Sequence, residues 1–353
     1  MSHDRDATLN QEIEALLVAQ GAIKVGFATI DTLAGGPPSA DLTYVLSSAK
    51  SAISFAFPLD HDKIRLYLSK KDFLSHEQDN LDLNYKVSQV AYEVSRLLRK
   101  QRIKSYPMLA NNVYRRGFPD WRIAMHPDIS LRYLAAVSGV GSFGWSGNIG
   151  IAGYGTAIIL GGVVTTAELE PTAPVPPEDG FCTNCKCCVA ACASGMFNQK
   201  EEESVTLGGV TFTYAKRHSY LRCQLVCGGF SGMHPSGKWS TWSPGRYAIP
   251  DDEPALLEQL NRAIDNYQLW PDRPDGGKGY SNAANKGKPI RLTCGNCGIL
   301  CWGNDADTRE NLRLLQTSGC VIQDEKGEIL ALPSSEAKKK FDAFSPAHKM
   351  LYF

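Results

Sequence analysis

The chain has 353 residues, 43% of them hydrophobic, and its 37 basic and 37 acidic side chains cancel to a formal net charge of zero. That length supports two domains with real cores, while the balanced charge withholds the overall positive field that draws a protein onto nucleic acid. No apolar run reaches the roughly twenty residues of a membrane span, and the opening MSHDRDATLNQEIEALL has no signal core, twin arginine or cleavage site, so a soluble protein of the reducing cytoplasm is expected.

Apolar residues at helical spacing over 10–19 predict a first helix, IKVGFATI (23–30) a strand, 41–48 a short helix and SAISFAFPL (51–59) a second strand. Leu83, Val87, Val90, Ala91, Val94 and Leu97 form a stripe with a period near 3.6, which makes 79–100 the longest predicted helix. A strand at 104–111 follows, then a helix at 128–138 with Asp128 as its N-cap, ended by the glycines of GVGSFGWSGN (139–148). GTAIILGGVVTT (155–166) reads as a strand pair closing an α+β domain over 1–170. The proline-rich PTAPVPPEDG (171–180) marks the handover to a second domain, 171–330, with a 331–353 tail expected to pack. Within the second domain, 228–250 is too long for an ordinary connection. It is functional, held by a ligand, or a surface loop with incidental aromatics at Trp239 and Trp242.

The cysteines carry the chemistry. Cys182, Cys185, Cys188 and Cys192 have the C-x2-C-x2-C-x3-C spacing of a bacterial ferredoxin loop, in which three thiolates serve one [4Fe–4S] cluster and the fourth serves another. Cys294, Cys297 and Cys301 supply three more, and the eighth ligand falls to Cys223 or Cys227. The preferred wiring is Cys182, Cys185, Cys188 and Cys301 on one cluster, with Cys192, Cys223, Cys294 and Cys297 on the other. Cys187 and Cys320 are left as free thiols. Zinc also binds C-x2-C pairs, but so many thiols at these intervals exceed what one zinc needs.

The combination of SLRYLAAVSGVGSFGWSGN (130–148), YGTAIILGGVVTT (154–166) and the two cysteine runs resembles the cobalamin-dependent epoxyqueuosine reductase and reductive dehalogenase superfamily, over roughly 100–305. The resemblance implies a nitroreductase-like cobalamin-binding domain followed by a two-cluster ferredoxin-like domain. It places Arg132, Gly139, Gly141, Trp145 and Gly147 at a corrinoid pocket, where glycines let the main chain approach the macrocycle. The cysteine wiring given above is also the family's. Two departures stand out. Ala193 and Trp302 replace the prolines that usually follow the last cysteine of each run, and Met125 stands where epoxyqueuosine reductases carry a catalytic aspartate. Candidate proton donors are therefore Tyr114, His126 and Asp128, with Arg115, Arg116 or Lys238 available to hold an anion.

The resemblance thus implies an oxidoreductase in which an external ferredoxin- or flavodoxin-type donor feeds two [4Fe–4S] clusters, which feed a corrinoid that reduces a small organic substrate. The helical repeats with which some relatives hold transfer RNA are not found in the stretch after Cys301, so nucleic acid is not expected as a partner. Two alternatives remain: a corrinoid-free electron carrier, and a protein that reduces a corrinoid for delivery elsewhere.

Overall fold

The structure, a computed structural model, describes residues 2–109, 114–117, 121, 125–276 and 291–353. Its centre is an antiparallel sheet in the order β1-β2-β6-β3, formed by β1 (Lys24–Thr29), β2 (Ser51–Pro58), β6 (Ile158–Thr165) and β3 (Ser105–Pro107). β2 and β6 are covered on both faces and accordingly read as nearly unbroken apolar runs rather than alternating ones. On one face lie α1 (Ser2–Ala19) and α3 (Leu74–Lys100), which bring Ile13, Leu17, Val87, Val90 and Val94 onto Phe55 and Phe57. On the other lies α4 (Leu131–Val137), whose Leu131, Leu134 and Val137 meet Ala28, Ala52 and Val164.

The long helix starts earlier than its apolar stripe suggests, and α2 (His61–Leu68) precedes it, capped by Asp60, whose carboxylate accepts from the Asp62 and Lys63 amides. Residues 42–44 form a 3-10 turn rather than an α-helix. The N-cap of α4 is Ser130, which accepts from Tyr133 N at 3.3 Å, and not Asp128. The expected pair over 155–166 is instead one strand, because both its neighbours come from elsewhere in the chain. The third strand is three residues long; positions 110 and 111 of the expected one lie outside the described residues.

Past the small ribbon of β4 (Ser142–Phe143) and β5 (Ile149–Gly150), the chain runs from β6 through an irregular 166–180 stretch. Thr172 ties that stretch to β1, its N–H donating to Phe27 O at 3.0 Å and its hydroxyl accepting from Phe27 N at 2.9 Å. The first cysteine run turns through α5 (Cys187–Ala190) into a long hairpin, β7 (Phe197–Leu207) and β8 (Val210–Arg217). Its two-residue turn is Gly208–Gly209, both at positive φ, as a tight hairpin requires. The hairpin folds back over the first sheet, where Val205 and Leu207 join the core beneath α4 and Gly208 N donates to Ala34 O at 2.9 Å.

The remaining elements are α6 (Tyr220–Cys227), α7 (Glu253–Tyr267), α8 (Asn296–Ile299), α9 (Asp305–Thr317), the β9–β10 hairpin (Cys320–Gln323, Ile329–Leu332), α10 (Ser334–Asp342) and α11 (Pro346–Met350). The 228–250 segment is largely irregular but not superficial: Trp239 and Trp242 are buried in the main core, and the Trp242 indole donates to Tyr67 O at 3.1 Å. The tail packs, with Tyr352 fully buried and its hydroxyl donating to Gln323 O at 2.6 Å. Among the described residues no helix is long and apolar enough to cross a membrane.

Candidate active site

Three separate segments carry the cysteines, and the fold brings them together around an apolar collar of Trp145, Met196, Phe197 and Ala215, against which Cys182, Cys188, Cys192, Cys223 and Cys297 all pack. The thiols fall into two adjoining groups. Cys188 is pushed up to about 12, first by burial and then by the neighbouring thiols of Cys297, Cys182, Cys301 and Cys185. Cys301 is raised by burial, with Cys182 and Cys185 adding to the effect. In the other group Cys294 is raised by burial and then by Cys223, Cys297 and Cys192, while Cys297 is pushed up to about 12 by burial, Cys192 and Cys223. The groups meet where Cys188 faces Cys297. Cys227 is the hydrogen-bonding neighbour of Cys223 and is not among the thiols that perturb Cys294 or Cys297. Cys187 is buried in the main core and Cys320 beneath Met233.

The loops that present these thiols are held from behind by the segment leading into β6 and by the β4–β5 turn. Gly155, at φ +56°, sits so close to Cys301 that a Cβ there would lie 2.1 Å from its carbonyl oxygen. Thr156 N donates to that oxygen at 2.9 Å, and Asn148 Nδ2 reaches Cys297 O at 3.2 Å. Backbone amides also point at sulfur: Trp145 N at Cys182 Sγ, 3.4 Å, and Met196 N at Cys192 Sγ, 3.3 Å. Among the described residues no three His, Cys, Asp or Glu side chains converge closely enough to share one metal ion.

Beside the second thiol group lie two connected chambers of about 310 and 830 Å³. The smaller is mainly apolar, walled by residues such as Leu109, Ile129, Leu131 and Phe197, and it reaches Cys223 and Cys297. The larger is polar and is walled partly by the hairpin, through Glu203, Tyr214 and Arg217. Met125, Pro127, Ser130, Arg132, Arg217 and Tyr220 line both.

Of the three expected proton donors, Tyr114 and Asp128 line the smaller chamber and exposed His126 lines the larger. Burial raises the Asp128 carboxyl above its usual range, partly offset by the Ile129 amide, which donates to it at 2.7 Å, and by Arg115. Burial also raises the Tyr114 phenol. Arg115 braces the wall rather than facing a ligand, since its buried guanidinium donates to Asp128 O at 2.8 Å and Asp41 O at 3.0 Å and covers the Tyr44 ring. Arg116 is exposed and stacks on Trp121, Lys238 is exposed away from both chambers, and 118–120 lie outside the described residues.

Of the expected corrinoid-pocket residues, only Arg132 is found among those lining the chambers. The glycines pack protein against protein instead. A Cβ at Gly139 would meet Ala173 O at 2.2 Å, one at Gly141 would meet Gly150 O at 2.5 Å, and one at Gly147 would meet the Arg217 guanidinium at 2.7 Å. Trp145 serves the thiol collar, its indole donating to Asn198 O at 3.2 Å. Arg217 and Tyr220 are among the lining residues that the sequence reading did not single out. Burial pushes the Tyr220 phenol up, but the guanidiniums of Arg132 and Arg217 outweigh it and bring it below its ordinary range.

No family model and no curated protein matches the chain. Among solved structures it is similar to epoxyqueuosine reductase from Streptococcus thermophilus, with a TM-score of 0.35 and 17% identity over 56% of this chain and 55% of that one. A second is an epoxyqueuosine reductase with an epoxyqueuosine-modified tRNA-Tyr stem loop, at 0.40 and 15% over 88% and 81%. A third is a reductive dehalogenase, at 0.44 and 13% over 96% and 48%. The likeness is to epoxyqueuosine reductases and reductive dehalogenases. The chain spans about half the length of the first and third of these structures. The expectation against a nucleic-acid partner gains no support from these likenesses.

Proposed function

We propose that the chain is an iron–sulfur, corrinoid-dependent reductase, built as a nitroreductase-like domain and a ferredoxin-like domain that holds two [4Fe–4S] clusters. The observation that carries this reading is that Cys223 and Cys297, members of one thiol group, also form part of a ligand-sized chamber. Cys192, Cys223, Cys294 and Cys297 would hold one cluster beside the chamber and Cys182, Cys185, Cys188 and Cys301 the other, and clusters there would supply low-potential single electrons. The sequence spacing of the thiols, C-x2-C-x2-C-x3-C with three more in a second run, favours polynuclear clusters, whose ligands bond different iron atoms, over a zinc ion that needs only four sulfurs.

The two chambers together offer a corrinoid both kinds of wall, apolar beside the thiols and polar further out for its amide arms. When bound, that group supplies a cobalt centre able to pass low-potential electrons to a substrate bond. The protein's own part is acid–base chemistry and exclusion of water. Asp128, buried and raised by that burial, holds a proton on its carboxyl at neutral pH more readily than an exposed aspartate and is the preferred donor, with Tyr114 beside it. His126 stands at the outer chamber, where a small organic substrate enters and solvent restores the proton. An external low-potential donor, of ferredoxin or flavodoxin type, supplies the electrons.

The decisive measurement is iron, acid-labile sulfide and cobalt on anaerobically purified protein from cells supplied with cobalamin. About eight irons, eight sulfides and one cobalt per chain are expected. Eight irons without cobalt, even after reconstitution, would leave an electron carrier. Turnover on a halogenated aromatic and on an epoxyqueuosine-containing tRNA stem loop then separates a small substrate from a nucleic-acid one.

A further inference from the structure

Arg132, on α4, and Arg217, at the end of β8, converge on one phenol: Arg217 Nη1 donates to Tyr220 Oη at 2.7 Å and Arg132 Nη2 to the same oxygen at 3.4 Å. Each guanidinium is anchored from behind on the turn of the β4–β5 ribbon. Arg132 Nη1 donates to Gly147 O at 2.9 Å, while Arg217 donates to Ser146 O through Nη2 at 2.6 Å and Nε at 3.2 Å. The ribbon thus sets two like charges side by side. Among the described residues neither makes an ion pair. Glu203 and Glu253 line the larger chamber and Asp128 the smaller, yet none of the three reaches either guanidinium. Holding two partly buried cations side by side with no carboxylate partner favours an anion bound beside them. A guanidinium has five N–H donors; the bonds named leave three on Arg132 and two on Arg217 for a partner in the chambers both residues line.

We propose that Arg132, Arg217 and Tyr220 form an oxyanion subsite at the junction of the two chambers, which takes a carboxylate or phosphate group. The planar forks of two arginines suit the paired oxygens of either group, and the phenol adds a further polar contact. The inference rests on the chambers being where cofactor and substrate bind. The anion has two sources: the phosphate in the nucleotide arm of a cobalamin, or an acidic group on the substrate.

The test is binding, measured on full-length cluster-loaded protein for the wild type, Arg132→Gln, Arg217→Gln and Arg217→Lys. The probes are cobalamin and cobinamide, which lacks the nucleotide arm, followed by visible spectrum, and inorganic phosphate and benzoate, followed by calorimetry. If the site holds the cofactor phosphate, the Gln variants lose roughly tenfold or more in cobalamin affinity, as for one charge-assisted contact, and none for cobinamide. If it holds a substrate group, both corrinoids bind as before while phosphate and benzoate binding to the cobalamin-loaded protein is lost. Arg217→Lys, which keeps the charge but not the fork, falls between. Iron content and melting temperature show that the variants are folded. Wild-type binding of all probes by folded Gln variants overturns the proposal. Should the wild type take up no corrinoid, the functional reading fails separately. Phosphate and benzoate titrated into that corrinoid-free protein then decide the subsite, which is rejected if neither binds or if binding survives Arg217→Gln.

Discussion

Cys223 and Cys227 sit one turn apart on α6, and their different surroundings decide what each can do. Cys223 faces the thiols of Cys294 and Cys297 and opens on the inner chamber, whereas Cys227 is the hydrogen-bonding neighbour of Cys223 and does not act on Cys294 or Cys297. Cys223→Ser is therefore expected to cut iron and sulfide from about eight to about four per chain, and Cys227→Ser to leave both unchanged; the reverse pattern would make Cys227 the eighth ligand. A second residue-scale consequence concerns His76, which is fully buried against the Tyr67 ring at 4.9 Å with both ring nitrogens unpartnered among the described residues. Burial lowers its pKa to about 4, against an opposing pull from Asp79 and Asp60 and with help from Lys63. The unfolded chain takes up a proton near pH 6.5 while the folded one resists until about 4, so the native state is at full advantage above that window and loses stability as the pH falls through it. His76→Leu should flatten this loss, worth roughly 3 kcal/mol across the window, and also remove two unpaired buried nitrogens. Urea unfolding of both proteins at pH 7.5 and 4.5 checks it: equal losses on acidification would mean His76 finds a partner or a proton in the native state.

The hairpin β7–β8 is the element that makes the outer chamber, and its seat is narrow. Leu207 enters a notch at Gly36, where an added Cβ would lie 2.4 Å from the Leu207 Cδ2 and 2.8 Å from the Ala40 Cβ. Gly36→Val must push the hairpin off the sheet or strain it, at a cost of about 1–3 kcal/mol. Faster proteolysis within 197–217 and weaker ligand binding in the chamber are expected; unchanged cleavage would show that the hairpin is held elsewhere. Nothing in its sequence announced this role, because alternation in β7 and β8 says only that one face is covered, not by what. The legible elements were those whose signal is local: the 3.6-residue stripe of α3, the apolar run of β2 and the cysteine spacing. The charged sequence of α2 hid a helix whose buried side is supplied by Ile64, Tyr67 and Leu68 alone. The glycines at 139–147 were legible as glycines, but the sequence could not show that a neighbouring backbone or side chain, rather than a ligand, fills the space each leaves. Arg217 and Tyr220 were missed for the same reason: a guanidinium's partners are set by the tertiary fold.

At the scale of the whole molecule, the boundary expected near 171 is crossed by the main hydrophobic core. Ile13, Phe55 and Val90 from the first half share one cluster with Trp239, Trp242, Leu315 and Val321 from the second. Trp302, next to a cluster-group cysteine, is clamped by α2: His61 stacks on its ring at 3.8 Å and Arg65 covers it at 4.5 Å while pairing with Asp307 at 2.6 Å. Glu77 on α3 accepts from Arg291 Nη1 and Leu292 N, each at 2.9 Å, just before Cys294, Cys297 and Cys301. A fragment of 1–170 would expose the tryptophan-facing side of its core and leave Glu77, buried and raised by that burial, without its arginine. Burying apolar surface is worth about 25 cal/mol per Å², and several large side chains lose part of that burial at once, a loss on the order of the roughly 5–15 kcal/mol that holds a typical domain together. The fragment is thus expected to lack a cooperative melting transition and ordered aromatic circular dichroism, while the full chain melts in one step with calorimetric and van't Hoff enthalpies that agree. A fragment that melts cooperatively would show that the first half is an autonomous domain and that the shared core is a docking interface. Electron delivery and substrate handling would then be free to move relative to each other, whereas a single cooperative unit fixes the chamber against the thiols that line it.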